Sequence, residues 1–395
     1  MIFNRGYKFQ LKPSESELLS CLQFAGGARW IFNWGLEQRK KVYEATGKTL
    51  SYFEQNNELT LLKKMEETVW LQTIHSQVLQ QSLKDLDRAY KNFFRRLKNG
   101  EKPGFPKFKK KGVKDRFRFP QGVKVEGDQV YLPCIGWIQF RKSRELKGVI
   151  KETTISIEGG KLYVSFSCEW EEETPLMAPI DSNRAVGIDV GLTRFATLAI
   201  GDENKREDIQ NPRFLQKGLD HIAFLSRQLS KKVDGSKNRA KAKKKLFEHH
   251  QSVKNQRHNF VHQLTAEMIK NHDIFCVETL DIANLLEKSP KGLARSLSDV
   301  GWGLFFHCLH YKAKANGKHV VEVGKYFPSS QICSSCNNQQ EMPLSVREYH
   351  CISCKKKHDR DYNSAIVIKA AGISVLKACG AALKRGSYEA GIFCL

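Results

Sequence analysis

Apolar residues return every three or four positions along two stretches of the N-terminal third. Leu18, Leu22, Ala25, Ala28, Phe32 and Leu36 predict one helix over about 17–44. Leu79, Leu83, Leu86, Tyr90, Phe93 and Leu97 predict a second over about 76–98, with Arg88, Lys91, Arg95 and Arg96 on its other face. Asn99-Gly100 and Pro103-Gly104 stop that pattern, so residues 13–100 read as a helical unit, preceded by one strand that Pro13 ends. The period then changes to two. Val123–Val125, Val130–Leu132, Trp137–Phe140, Thr154–Ile157 and Leu162–Phe166 alternate between turn glycines at 122, 127, 136, 159 and 160. Short strands so punctuated predict a small barrel or sandwich, closed by a linker over 171–184. From Ala185 the rhythm is mixed: strands AVGIDVG and FATLAI, two long helical patterns joined near Asp234-Gly235, strands at Ile274–Val277 and Val320–Val323, and a last helix over about 361–382. That mixture predicts an α/β domain.

Charge narrows the partners. The 395 residues hold 65 Lys and Arg against 42 Asp and Glu, a net +23, which draws the chain to polyanions, nucleic acid first. No run approaches the ~18 apolar residues of a membrane span, and mean hydropathy is -0.48. The first eleven residues show no apolar signal core, so a cytoplasmic, reducing setting is expected. With 41% hydrophobic residues a folded chain is expected over a disordered one.

Seven of the eleven cysteines are scattered; the other four form two tight pairs, Cys333/Cys336 and Cys351/Cys354. A two-residue gap lets both sulfurs of a pair reach one ion, and four thiolates suit a closed tetrahedron, which predicts one structural Zn²⁺. His350 and His358 are surplus to such a site and are expected at the surface.

Three acids stand where apolar strands or a helix begin or end. Asp189 lies inside Gly187-Ile188-Asp189-Val190-Gly191, Glu278 ends Ile274–Val277, and Asp361 opens the last helix within Asp359-Arg360-Asp361-Tyr362-Asn363. Convergent carboxylates need cations, and two Mg²⁺ (or Mn²⁺) ions meet that need while serving an in-line phosphodiester displacement. The phosphate turn of actin-like ATPases competes for GIDVG, but the further glycine-rich turns of that fold are missing, as is a Walker-type loop. Asp202 and Asp281 read as solvent-facing acids.

The order of these motifs resembles the TnpB family of transposon-encoded nucleases, relatives of the compact type V CRISPR effectors. The resemblance rests on GIDVGL at 187–192, VETL at 277–280, the four cysteines, HDRDYNSA at 358–365, FAGGARWIFNW at 24–34 and GFPKFK at 104–109. It implies a RuvC-like RNase H-fold nuclease over 185–327 and 359–395, with a zinc ribbon inserted over 328–358. It also implies a wedge-like β-barrel from residues 1–12 and 114–180, carrying a helical recognition lobe with a basic loop over 13–113. The catalytic, Mg²⁺-binding acids would be Asp189, Glu278 and Asp361; Asp359 competes for the third place, and the family motif favours Asp361. The partners implied are a guide RNA from the transposon end and a double-stranded DNA target cut beside a short flanking motif. One departure is visible: Ser364-Ala365 stands where the family usually has Ala-Ala, a small residue for a small residue, so activity is expected to survive.

Lys102, Lys107, Lys109, Lys110, Lys111, Lys114, Arg116 and Arg118 form the densest track for phosphates, interleaved with Phe105 and Phe108. Arg239, Lys241, Lys243, Lys244 and Lys245 form a second. Trp30, Phe32 and Trp34 read as core. The expected activity is an RNA-guided, magnesium-dependent DNA endonuclease. Two rival functions are a catalytically silent guided DNA-binding regulator and a guide-independent transposase accessory protein.

Overall fold

A computed structural model describes residues 2–112, 115–173, 175–343 and 346–384, with side chains described as far as residue 379. The chain divides into two compact units, 1–173 and 174–395. Lys114 and Cys394 lie outside the described residues.

The first unit opens with strand β1 (Ile2–Lys12) and helix α1 (Glu15–Thr46). A capping box starts α1: the Glu17 amide donates to Ser14 Oγ at 3.4 Å and the Ser14 amide to Glu17 Oε2 at 2.7 Å. Gly47 ends it in the left-handed region, φ 67°. Helices α2 (Tyr52–Leu62) and α3 (Ser76–Lys98) follow, separated by a 3₁₀ segment over Glu66–Thr73. The remaining strands are β2 (Arg116–Phe119), β3 (Lys124–Glu126), β4 (Gln129–Leu132), β5 (Gly136–Phe140), β6 (Val149–Glu158) and β7 (Lys161–Glu171). Among the described residues they pair antiparallel with β1 in the order β2-β6-β7-β1-β5-β4-β3, with no closing pair between the two end strands. Alternate residues (Tyr7, Phe9 and Leu11 on β1, Val164 and Phe166 on β7) turn inward and share a core with Phe24 and Ile31 of α1 and Leu79 and Leu83 of α3.

The second unit is built on strands β8 (Ala185–Val190), β9 (Arg194–Ile200), β10 (Lys205–Gln210), β11 (Ile274–Glu278) and β12 (His319–Val323). Their order is β10-β9-β8-β11-β12; β8, β9 and β10 run antiparallel in turn, while β11 is parallel to both β8 and β12. Helices α4 (Phe214–Ser230) and α5 (Lys237–Asn271) join β10 to β11, and α6 (Ile282–Lys288), α7 (Lys291–Val300) and α8 (Trp302–Ala315) join β11 to β12. The small hairpin β13 (Glu348–His350) and β14 (Lys357–Asp359) leads into helix α9 (Arg360–Lys384). Val186, Ile188, Phe275 and Val277 face Met268 of α5, Val300 of α7 and Phe305 of α8. The opposite face, Ala185, Ile274, Cys276, Val321 and Val323, meets Ile368 and Leu376 of α9. Both faces are covered, so the inner strands are apolar throughout.

Gly187 lets α9 lie this close: a Cβ there would run into the Ala365 carbonyl and stand 2.6 Å from Lys369 Cβ. Gly372 does the same opposite Cys276. The strand β10, KREDIQ, has no apolar alternation to betray it, and it forms as an edge on β9. No described helix is long and apolar enough to cross a membrane.

Candidate metal centres

The alternation of a strand decides where Asp189 points. Ala185 and Gly187 face α9, so Asp189, two residues on, faces it too. Ile188 pairs with Val277 in the parallel β8–β11 ladder, which puts Asp189 and Glu278 side by side at the carboxyl ends of neighbouring strands. Asp361 lies in the first turn of α9, the helix laid across both strands. The Ser364 hydroxyl, one turn on, reaches Asp189 Oδ1 at 3.4 Å. Burial first, and then the charges of Asp361 and Glu278, push the Asp189 carboxyl well above the usual carboxylate range; Ser364 and Arg360 offset only part of this. Burial raises the Glu278 carboxyl as well. Asp361 is paired with Arg194 at 3.5 Å and Arg347 at 3.8 Å, so Asp189 is the carboxyl left short of positive charge, and the oxygen-only donors around it are of the kind a hard divalent cation takes. Asp189, Glu278 and Asp361 are the acids that could hold one, although their oxygens do not all lie within 4.8 Å of one another as the cysteine sulfurs do.

Asp359 is placed differently from Asp361. It caps α9, accepting the Tyr362 amide at 3.1 Å, and pairs with Arg194 and Arg206, each at 3.1 Å. Burial raises its carboxyl, but the Tyr362 amide and the two guanidinium groups outweigh that and leave it below the ordinary value. Arg194 also reaches Asp361 at 3.5 Å and Asp208 at 3.4 Å. This Arg194–Arg206–Asp208 cluster is a set of site neighbours for which the sequence carries no signal, because the β9–β10 hairpin brings them together. Asp202 is exposed, and Asp281 caps α6 at the Asn284 amide while pairing with Lys325 at 3.0 Å.

The four cysteine sulfurs all lie within 4.8 Å of one another, the one such group of metal-ligating side chains among the described residues. Cys333 and Cys354 Sγ are 3.7 Å apart, Cys336 and Cys351 Sγ 3.5 Å. Zn–S bonds of about 2.3 Å in a tetrahedron give S···S edges of about 3.8 Å, so the set fits one Zn²⁺. Both pairs use the same backbone turn. The Asn337 amide donates to the Cys333 carbonyl at 2.9 Å and the Lys355 amide to the Cys351 carbonyl at 3.1 Å, with Asn337 and Lys355 at positive φ. The Cys354 amide, 3.4 Å from Cys351 Sγ, leads in drawing that thiol down to about 6. His350 is exposed beside Glu348, and His358 is partly exposed beside Ser335, both outside the sulfur cluster.

Of the predicted basic track, Lys107, Lys110, Lys111 and Arg116 are exposed. Lys109 is turned in: its ammonium lies 3.8 Å from the Phe32 ring centre, and burial lowers its pKa to about 8. Its backbone is held on both sides by the Asn33 amide, at 2.8 and 3.0 Å. Arg118 is occupied by Asp85 and by Glu152, the latter at 2.7 Å. Phe105 packs edge-on against Tyr90 and Phe93. Lys243, Lys244 and Lys245 are exposed on α5.

A family profile described as a probable transposase, OrfB_IS605, matches residues 165–289; a Cas12f1-like TNB domain profile matches 302–368, and a helix-turn-helix profile matches 1–48, which fold here as one strand and one long helix. The chain is 37% identical to the Escherichia coli K12 protein named "Putative RNA-guided DNA endonuclease InsQ", over 97% of this chain and 95% of that one. It is 31% identical to a Streptomyces pristinaespiralis protein named "Putative RNA-guided DNA endonuclease", over 95% and 91%. Two solved structures share the fold: a Cas12f1–sgRNA–target DNA complex (TM-score 0.52, 16% identity, 90% of this chain and 82% of that one) and the mini-RNA-guided endonuclease CRISPR-Cas_phi3 (0.53, 9%, 94% and 92%). With relatives this similar along almost its entire length, the chain belongs to the TnpB family.

Proposed function

We propose that the protein is an RNA-guided DNA endonuclease that hydrolyses phosphodiesters at Asp189, Glu278 and Asp361. The observation that carries this is the crowding of the Asp189 carboxylate by Asp361 and Glu278 at the carboxyl ends of β8 and β11. Two bound Mg²⁺ or Mn²⁺ ions would supply an activated water and stabilise the leaving oxygen. The residues themselves do the holding. Asp189 is fixed by its strand and by Ser364, Glu278 by the β11 ladder, and Asp361 by the capped first turn of α9. The strand order β10-β9-β8-β11-β12 with a crossing C-terminal helix supports a RuvC-like RNase H fold for the second unit. The cysteine ribbon interrupts it between β12 and α9, with Zn²⁺ as a structural ion.

In this reading the first unit, an antiparallel sheet with inserted helices, is the wedge and recognition lobe. Lys107, Lys110, Lys111 and Arg116, with Lys243–Lys245 on α5, contact phosphates of a guide RNA from the transposon end and of the DNA target. Guide pairing selects the sequence, and the protein reads a short flanking motif, in a cytoplasmic setting. The protein purified with its RNA, given matched duplex DNA and Mg²⁺, is expected to cut it, whereas Asp189→Ala binds the DNA and leaves it whole. Cutting by that variant would reject the site.

A further inference from the structure

The ribbon and the acids meet in one turn of helix. Asn363, fully buried, accepts the Ser334 amide at 2.9 Å and donates to the Ile332 carbonyl at 2.7 Å, so its single side chain holds both neighbours of Cys333. Ser364, next along, is also buried; its hydroxyl stands 3.0 Å from Ser329 Oγ, at the root of the ribbon, and 3.4 Å from Asp189 Oδ1. A hydroxyl has one proton, and the carboxylate is the stronger acceptor, so Ser329 donates to Ser364 and Ser364 donates to Asp189. Arg360 ties the same turn to the ribbon's far side, donating to the Pro343 and Val346 carbonyls at 3.3 Å each. Asp361 sits inside this bracket, with Arg360 before it and Asn363 two residues after it.

We infer that Asn363 and Ser364 are positioning residues that couple the first zinc knuckle to the acid cluster, so that an ordered knuckle sets the affinity of the acids for divalent cations. This rests on the reading of Asp189, Glu278 and Asp361 as cation ligands. A rigid helix turn transmits the link: Asn363 and Ser364 project from adjacent positions, one to the knuckle and one to Asp189, and a slack knuckle frees both ends of the turn. It also gives Ser364 a role beyond its size. Alanine at this position would fill the space but leave Asp189 Oδ1 and Ser329 Oγ without their shared partner. Partners of this kind around metal ligands typically change metal affinity about 10–100-fold.

The test uses the full-length chain. Mn²⁺ binding is followed by electron paramagnetic resonance and zinc content by atomic absorption, for wild type, Ser364→Ala, Asn363→Ala, Asp189→Ala and zinc-stripped wild type. Ser364→Ala is expected to keep one zinc and bind Mn²⁺ about tenfold or more weakly, with DNA cutting restored at saturating Mn²⁺. Zinc-stripped wild type is expected to lose Mn²⁺ affinity at least as far. If Asn363→Ala sheds its zinc, it joins the stripped protein as a second zinc-free sample and is expected to match it. Wild-type Mn²⁺ affinity in both Ser364→Ala and the zinc-stripped protein would overturn the coupling. Undiminished Mn²⁺ binding by Asp189→Ala would instead reject the acid site itself.

Discussion

Replacing Asp189 by Asn is expected to stabilise the metal-free protein while abolishing its response to Mg²⁺. The Asp189 carboxyl is held well above its ordinary range by burial and by the Asp361 and Glu278 charges, so ionising it opposes folding. A neutral amide of the same shape removes that penalty, so it should stabilise the apo fold, each pH unit of upward displacement being worth about 1.4 kcal/mol. At about 2–4 °C per kcal/mol for a domain of this size, the melting midpoint of the second unit is expected to rise. The sign of the pH dependence follows from the raised value. The folded state retains a proton that the unfolded chain gives up, so the wild-type penalty is absent below the unfolded carboxyl value of about 3.9 and grows as pH rises above it. The two proteins should therefore melt together in acid and separate towards neutrality. Mg²⁺ at a hundred times its dissociation constant stabilises wild type by about 2.7 kcal/mol and gives the Asn variant no such gain. Scanning calorimetry in chelator and in Mg²⁺, at several pH values, reads all of this. An Asn variant that melts below wild type in chelator, or gains as much as wild type from Mg²⁺, would refute the account of crowded acids.

Chelation of the cysteine site, or Cys333→Ser, should release about one zinc per chain and expose ribbon amides to hydrogen exchange, with the β8–β12 core still protected. Gly187→Ala should destabilise the second unit by about 1–3 kcal/mol or more in denaturant titration, because the new methyl meets the α9 backbone, which does not yield like a side-chain end. Lys107→Ala, Lys110→Ala and Lys111→Ala should each weaken nucleic-acid binding and lower its salt slope by up to about one. Arg118→Ala, which strips two acids of their shared partner, should cost stability and leave the salt slope unchanged.

Which bases face phosphates was the part least legible from composition. A charged run announces an electrostatic surface, yet Lys109 folds onto Phe32 of α1, and Arg118, between the inward-facing Phe117 and Phe119 of β2, is taken up by Asp85 of α3 and Glu152 of β6. Period and packing decide orientation within a run; sequence spacing alone cannot, because the partners Asp85 and Glu152 stand 33 and 34 positions away.

Local chemistry determined much by itself. The alternation through AVGIDV, the apolar IFCVE strand, the two Cys-x2-Cys turns and the capping residue before α9 are written in neighbouring residues, since strand pleat, knuckle and cap each span only a few positions. Tertiary structure alone decided the rest. The parallel register of β8 with β11 brings together acids 89 residues apart, and α9, admitted by Gly187 and Gly372, adds the third. The same close approach sets Ser364 on Asp189 and Asn363 on the zinc knuckle, contacts between segments tens of residues distant that no local preference encodes.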